Sequence, residues 1–522
     1  MPNQKVSRRE AIKAMGLGAA ALAGGQSVQA QSDKRPDIIF ILVDDMGWSD
    51  IGCYGGEVKT PNLDRLAQGG VRFSQMHNTA KCFPSRACLL TGLYAQQCNM
   101  SKKHSHFENC TTIASALRQA GYRTLMTGKH HGLDNPYDFG FDRYFGLRDG
   151  ACNHFNPGFQ RPGEPDPARK RDGRAWCIDE KTIEGYTPPE KDFYSTDYFT
   201  KYALQYLDEY KNEDKPFFLY LSYTAPHDPL MAWPDDIAKY RGKYKKGYAA
   251  IRAERNKRQR EMGLIDERFP QSPPTHQDWN ALTPEQQDKE DLKMAVYCAM
   301  IDRVDQKVGE VLAKVRDMGE EDNTLVLFSS DNGCSAEMVR SGKNSPWTGE
   351  IGSMARWTSL GGDWANVSNT PFRLYKNYSH EGGVCTPMIA YWPERLKQPG
   401  RISEACGHFI DVMPTLLEAA GAEYPKTGLR GEAIPPMEGE SFLSVLDGDD
   451  WTRQRPIFWQ WSKGKSVRAG QWKLVSWDGN WELYDMDADK TEINDLAAKR
   501  PDVVRLLAAL YDEWWLRMKQ KA

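Results

Sequence analysis

Apolar residues in this chain gather into short runs without polar alternation, and stretches of helical periodicity separate the runs. Asp37–Val43, Arg123–Met126, Phe217–Ser222, Thr324–Ser329 and Met388–Trp392 are runs of this kind. They read as strands buried on both faces, as in a parallel sheet covered by helices. Pro61–Ala67, Thr112–Ala120 and Ala295–Val315 carry helical patterns. In the last, Ala295, Ala299, Val304, Val308, Val311, Leu312 and Val315 fall close to one stripe. Strand alternating with helix predicts an α/β fold, a doubly wound and mostly parallel sheet with helices on both faces.

Four of the runs end in polar residues. Asp44-Asp45 follows the first, Lys129-His130-His131 the second, His227 the third and Asp331-Asn332 the fourth. Ligands of open α/β sheets bind outside the carboxyl ends of the strands, so these residues are expected to converge on one rim. Two stretches read as insertions. Phe159–Asp192, rich in Pro, Gly and charge, reads as a surface loop or a cover for the site. Ala232–Glu290 is dense in charge of both signs, and its basic stretch Arg252–Arg260 reads as a solvated helix face rather than a polyanion site. From Glu440 the pattern changes. Trp472–Ser476 and Trp481–Tyr484 read as a hairpin around Asp478-Gly479-Asn480, and Pro501–Met518 as a helix with a Leu/Trp face. The organisation expected is a catalytic α/β part over residues 35–440 and a small α+β part over 441–522.

Composition adds limits rather than detail. Of 522 residues, 40% are hydrophobic and 27% charged, an ordinary globular balance. A net charge of −3 gives no footprint for nucleic acid. The 16 Trp and 23 Tyr read mainly as core. The N-terminus is more informative. Arg8-Arg9 precedes a mildly apolar Ala/Gly-rich run from Ala14 to Gly25 and then Val28-Gln29-Ala30, a small-residue cleavage pattern. This order resembles a twin-arginine export signal over residues 1–30, which predicts a bacterial periplasmic or secreted protein. The run is too short for a permanent membrane anchor. Such substrates cross folded, so the 11 cysteines permit disulfides without requiring them.

The strongest local signal is Cys82-Phe83-Pro84-Ser85-Arg86, continued by Leu90-Thr91-Gly92. It resembles the segment of formylglycine-dependent sulfatases in which the Cys of Cys-x-Pro-Ser-Arg is oxidised to Cα-formylglycine. The resemblance places the chain near the arylsulfatases, in the alkaline phosphatase superfamily, and implies that family's mixed, mostly parallel α/β core with a small C-terminal domain. It covers Asp37 to about Leu417 and again Trp472–Leu496, where Trp481-Glu482-Leu483-Tyr484-Asp485 looks like the family's C-terminal strand.

Several roles follow from the resemblance. Cys82, as formylglycine, would be hydrated to a diol, one hydroxyl attacking sulfur and the other later expelling sulfate. Asp44, Asp45, Asp331 and Asn332, together with residue 82, would hold a divalent ion, Ca2+ or alternatively Mg2+; hard oxygen ligands suit either. Arg86 would hold the formylglycine, and Lys129 and Lys376 would bind sulfate. His131, in Thr127-Gly128-Lys129-His130-His131, would assist the diol proton. His227, in Ala225-Pro226-His227-Asp228-Pro229, would protonate the departing alkoxide. Lys376 stands five residues before Glu381-Gly382-Gly383, as the family's sulfate-binding lysine does. Ser85–Leu90 is expected to begin a helix whose N-terminus favours an anion.

The implied partners are a sulfated small molecule or saccharide and a formylglycine-generating or anaerobic maturation enzyme. Two features depart from the family pattern: Cys385 where many members carry Arg, and Gln460-Trp461-Ser462 where some carry an acidic-His pair. Both bear on substrate contacts. Two rivals stand beside this reading. One is a formylglycine-dependent phosphonate monoester hydrolase or phosphodiesterase, which shares nucleophile and fold. The other is a non-catalytic sulfated-glycan-binding protein, which predicts a lost catalytic position.

Overall fold

Strand β1 (Asp37–Val43) lies in the middle of the molecule and sets its layering. In this computed structural model, which describes residues 34–169, 173–339 and 347–519, alternate β1 residues enter two different hydrophobic clusters. Ile39, Ile41 and Val43 join one; Ile38, Phe40 and Leu42 join the other. Both faces of the sheet are therefore covered, which is why the run shows no polar alternation. The expected signal peptide over residues 1–30 lies outside the described residues.

The remaining strands of the large sheet are β2 (Val71–His77), β3 (Arg123–Gly128), β4 (Arg143–Leu147), β5 (Trp176–Ile178), β6 (Lys181–Ile183), β7 (Phe217–Ser222), β8 (Thr324–Ser330), β9 (Cys385–Tyr391), β10 (Arg401–Ser403) and β11 (Gly407–His408). Among the described residues these eleven strands run in the order β10-β2-β9-β8-β1-β7-β3-β4-β5-β6, with β11 also on β2. The block β8-β1-β7-β3-β4 is parallel throughout, with Ile38 opposite Phe218 and Leu325.

Three expectations are corrected. Met388–Trp392 was expected to be parallel, but β9 runs antiparallel to both β2 and β8 and begins earlier, at Cys385. A run of apolar residues encodes burial on both faces and carries no information on direction. Phe159–Asp192 is not loop alone, because β5 and β6 within it extend the sheet edge as an antiparallel pair. Arg252–Arg260, in the helix Tyr248–Glu261, is not simply a solvated face. Arg252 and Arg255 are buried; Arg255 pairs with Asp50 at 2.6 Å and Glu57 at 2.8 Å, and Arg252 donates to the Ser272 carbonyl at 2.8 Å.

The helix read at Ala295–Val315 extends over Pro284–Asp317, opened by a Thr283/Gln286 capping box. Its first turns are polar, which hid them from the apolar pattern. In the tail, β12 (Ile457–Trp461), β13 (Gly464–Ala469), β14 (Trp472–Ser476) and β15 (Glu482–Asp485) form an antiparallel sheet in sequence order. The expected hairpin is its β14–β15 half. Phe458, Val467, Leu474, Leu483 and, from the helix Pro501–Lys519, Trp514 join the same hydrophobic cluster as Leu42. No helix among the described residues is long and apolar enough to cross a membrane.

Candidate active site

Because β8, β1, β7 and β3 are parallel neighbours, their carboxyl ends deliver Asp331-Asn332, Asp44-Asp45, the turn leading to His227, and Lys129 to one rim. Two more segments reach the same place. β2 ends at His77, paired with Cys385 at the start of β9, and leads through Asn78–Lys81 into the helix Cys82–Thr91. That helix starts three residues before the expected Ser85, so Cys82 occupies its first position, where free N–H groups point outward. The turn Glu381–Val384 precedes β9 and brings Lys376 alongside.

The charges interlock. Lys129 Nζ lies 2.5 Å from Asp44 Oδ2. Lys376 Nζ lies 2.7 Å from Asp45 and 3.3 Å from Glu337. Arg86 donates from Nε to Asp331 at 2.8 Å, and from Nη1 to the Lys129 carbonyl at 3.0 Å and Ser222 Oγ at 2.5 Å. Asn332 Nδ2 donates to Asp45 Oδ1 at 2.6 Å. His227 Nε2 is 3.5 Å from Asp45, and its Nδ1 donates to the Asp228 carbonyl at 2.6 Å. Ligand atoms of Asp44, Cys82 and Asp331 lie within 4.8 Å of one another, and so do those of Asp44, Asp45 and His227. All the residues singled out from the sequence thus come together, with His131 at the rim of the same pocket.

Two features mark this as more than a salt-bridge network. First, Asp44 Oδ1 and Asn332 Oδ1 are buried and have no hydrogen-bond partner among the described residues, nor has His131 Nδ1. Orphaned buried oxygens are costly, and they are acceptors left for a ligand. Second, the titrations are pulled apart. Burial raises the Asp45 carboxyl, but Lys376 and then His227 outweigh it and hold the group at about 2. Burial and then Asp44 push Asp331 up to about 6 against Arg86. Burial carries His227 down to about 3 against Asp45, and burial with Lys129 and Arg86 holds His131 well below its usual range. Both rings are neutral at rest. Burial raises the Cys82 thiol despite Lys129 and Lys376, so an unmodified Cys82 is a poor thiolate.

The cavity over Cys82 has a volume of about 320 Å³ and is lined by Lys81, Phe83, His131, His227, Glu337 and Lys376, among others. Glu337, which also pairs with Lys81 at 2.6 Å, was not found from the sequence, and neither was Ser222. Ser222 closes a strand that feeds the rim, a signal that could have found it. Glu337 follows no strand or motif.

With this geometry in view, comparison with known proteins decides the family. The model of the sulfatase family matches residues 36–422. The chain belongs to the sulfatase family. A second model, N-sulphoglucosamine sulphohydrolase C-terminal, matches residues 372–517. This sulfatase is 34% identical to an arylsulfatase of Klebsiella aerogenes over 81% of this chain and 94% of that protein. It is 26% identical to an N-acetylglucosamine-6-O-sulfatase of Bacteroides thetaiotaomicron, covering 94% of this chain and 89% of the relative. Among solved structures it resembles Ps i-CgsB in complex with k-i-k-neocarrahexaose, with a TM-score of 0.67 at 23% identity over 92% of this chain and 93% of that one. The fold is thus the alkaline-phosphatase-like α/β fold of sulfatases, and the chain is a sulfuric ester hydrolase.

Proposed function

We propose that this sulfatase acts with a formylglycine derived from Cys82 and a divalent ion, on a sulfated carbohydrate, after twin-arginine export to the periplasm or beyond. The observation that carries the reading is the position of Cys82. It is the first residue of a buried helix, within 4.8 Å of the ligand atoms of Asp44 and Asp331.

The donor set fits the implied metal. Asp44, Asp45, Asp331 and Asn332 can offer oxygen ligands, and two of those oxygens, Asp44 Oδ1 and Asn332 Oδ1, accept no hydrogen bond among the described residues. When bound, Ca2+ or Mg2+ supplies positive charge beside residue 82 and the sulfate group, and the formylglycine diol supplies the nucleophilic hydroxyl.

The chain's own groups do the rest. Lys129 and Lys376 hold the sulfate oxygens by charge, and being fixed in place they need no reorganisation as charge redistributes. Arg86, locked by Asp331 and Ser222, fixes residue 82. His131 is neutral with a free Nδ1, which suits it to receive the diol proton. His227 gives its Nδ1 hydrogen to the Asp228 carbonyl, leaving Nε2 to work on the leaving oxygen. An arriving sulfate anion raises the ring's proton affinity, and Asp45 at 3.5 Å supports the imidazolium. The domain limits 35–440 and 441–522, and the maturation enzyme that modifies Cys82, belong to the same reading.

The test is the mass of the tryptic peptide Cys82–Arg86, from protein made in a host that installs formylglycine. It is paired with turnover of nitrophenyl sulfate, the matching phosphonate monoester and sulfated sugars. An aldehyde or hydrate mass with sulfate turnover supports the reading. Plain cysteine in active enzyme, or faster phosphonate turnover, sinks it.

A further inference from the structure

The helix Tyr248–Glu261 buries two arginines three residues apart, and only one has its charge answered. Arg255 is fully buried and meets the carboxylates of Asp50 and Glu57. Arg252 is 3% exposed and donates only to neutral oxygens of Ser272, from Nη1 to the carbonyl at 2.8 Å and from Nη2 to Oγ at 2.7 Å. Among the described residues it makes no ion pair. Burial lowers it from 12.5 to about 10 with no carboxylate acting against the fall, so it stays charged at neutral pH. A buried ion is costly without a counter-charge.

The hydrogen bonds show which edge of the guanidinium is unused. Ser272 takes the end-on pair, Nη1 and Nη2. Nε is buried and has no hydrogen-bond partner. The side-on edge, Nε with the second hydrogen of Nη2, is the fork that fits two oxygens of one acidic group.

Arg252 lines a cavity of about 490 Å³ between this helix and the segment 270–276, and the lining holds no acidic residue. Ala249, Pro270, Pro273, Pro274 and Ile493 make its walls apolar. The segment is pinned along its length. Thr491 Oγ1 donates to the Pro270 carbonyl at 2.8 Å, the Ser272 N–H to the Pro371 carbonyl at 3.1 Å, and the Thr275 N–H to Asn366 Oδ1 at 3.1 Å. Binding against such walls costs little ordering. The cavity shares no lining residue with the one over Cys82.

We propose that Arg252 is the floor of a second binding site, separate from the catalytic cavity, for a small organic anion. One acidic head, a carboxylate or a sulfonate, takes the free edge of Arg252. An apolar body lies against the prolines and Ile493. The volume lies within the ~300–1,000 Å³ usual for ligand sites and suits such a body better than a bare inorganic ion.

The test is a ligand-observed NMR titration with benzoate, benzenesulfonate, neutral benzamide and inorganic sulfate. It compares the native enzyme with Arg252→Met and Ala249→Phe. Ala249 is an exposed helix position, so phenylalanine there fills the cavity and leaves Arg252 in place. One of the two aromatic anions is expected to bind at least tenfold more tightly than benzamide, and the tighter one identifies the head. Arg252→Met weakens that anion about 10–100-fold, the scale for losing a hydrogen bond to a charged group. Ala249→Phe blocks it. Turnover of nitrophenyl sulfate stays at the native level in both variants and reports that they are folded. If Arg252→Met does not fold, Ala249→Phe and the benzamide comparison decide. Anion affinity unchanged in the folded variants, benzamide equal to the anions, or inorganic sulfate displacing them with equal affinity overturns the site. Binding of none of the probes does so too, and leaves Arg252 as a clamp on Ser272.

Discussion

Two buried charge clusters lie at the two ends of the segment Lys376–Cys385, and they differ in what they leave undone. At the rim, Asp44, Asp331, Asn332 and the two lysines interlock, yet oxygens of Asp44 and Asn332 and a nitrogen of His131 find no hydrogen-bond partner among the described residues. The second cluster joins His77, Glu381, Lys473 and Glu492. His77 Nε2 is 3.1 Å from Glu381, Lys473 Nζ is 2.6 Å from Glu381 and 2.8 Å from Glu492, and the Glu381 N–H donates to Glu492 at 2.8 Å. His77, Glu381 and Cys385 have the spacing of a metal group, but Glu381 already has the Lys473 ammonium as its counter-charge at 2.6 Å. The first cluster is built to receive a ligand. The second ties β2, the strand that leads to Cys82, to the Lys376 segment and the C-terminal sheet, because Lys473 comes from β14. Equal burial therefore does not mean equal role: Glu492 Oε1 also lacks a hydrogen bond but lies 2.8 Å from the Lys473 ammonium, whereas Asp44 Oδ1 stands 3.9 Å from the Arg86 guanidinium.

The largest effect that would break this contrast is on rate. Cys82→Ala is expected to abolish turnover with the fold kept. Lys376→Ala is expected to lower kcat by about 10²–10³-fold, the scale for removing one preorganised partner of transition-state charge. Near-normal kcat in Lys376→Ala would move the sulfate elsewhere. Metal removal comes next. Prolonged chelation should remove activity and lower the unfolding midpoint, with Ca2+ restoring both, because buried carboxylates at the rim then lose their shared cation. Full activity after chelation and metal analysis would leave the orphaned oxygens without a purpose.

The second cluster predicts the reverse pattern. Lys473→Met leaves Glu381 and Glu492 buried without their cation, which costs about 3–5 kcal/mol. The unfolding midpoint in urea should fall clearly, while kcat per folded molecule changes far less than in Lys376→Ala. A kcat loss with an unchanged midpoint would merge the two clusters into one working site.

What the sequence made legible follows the same division. β1 and β7 have the predicted limits, because strands buried on both faces announce themselves as apolar runs. The rim was legible because its residues follow such runs at once. β2, which delivers Cys82, was not found, since Arg72, Ser74 and Gln75 interrupt its pattern and make their contacts across the sheet edge and tail. Arg255 was misread because a buried arginine and a solvated one look alike in sequence until Asp50 and Glu57, some 200 residues away, are brought beside it. Glu337 is likewise set by loop geometry and leaves no periodic trace.

The smallest effect is a pH dependence in the second cluster. Burial lowers the proton affinity of His77, but Glu381 and then Cys406 outweigh it and raise the group from 6.5 to about 9. Folding therefore favours the protonated ring. The stabilisation is complete below the unfolded value of 6.5 and is lost as pH rises through 9. The shift corresponds to roughly 3 kcal/mol. The ring faces the Glu381 carboxylate at Nε2 and the Gly407 carbonyl at Nδ1, so a neutral ring keeps the second contact and loses the ionic part of the first. Other groups titrate over the same range, so the useful quantity is the difference between the native enzyme and His77→Gln. Urea midpoints at pH 6, 7.5 and 9.5 should show the native advantage shrinking as pH rises. A difference that stays flat would mean that the imidazole holds β2 by shape and neutral hydrogen bonding. The ionic part of the cluster's cohesion would then come from Lys473.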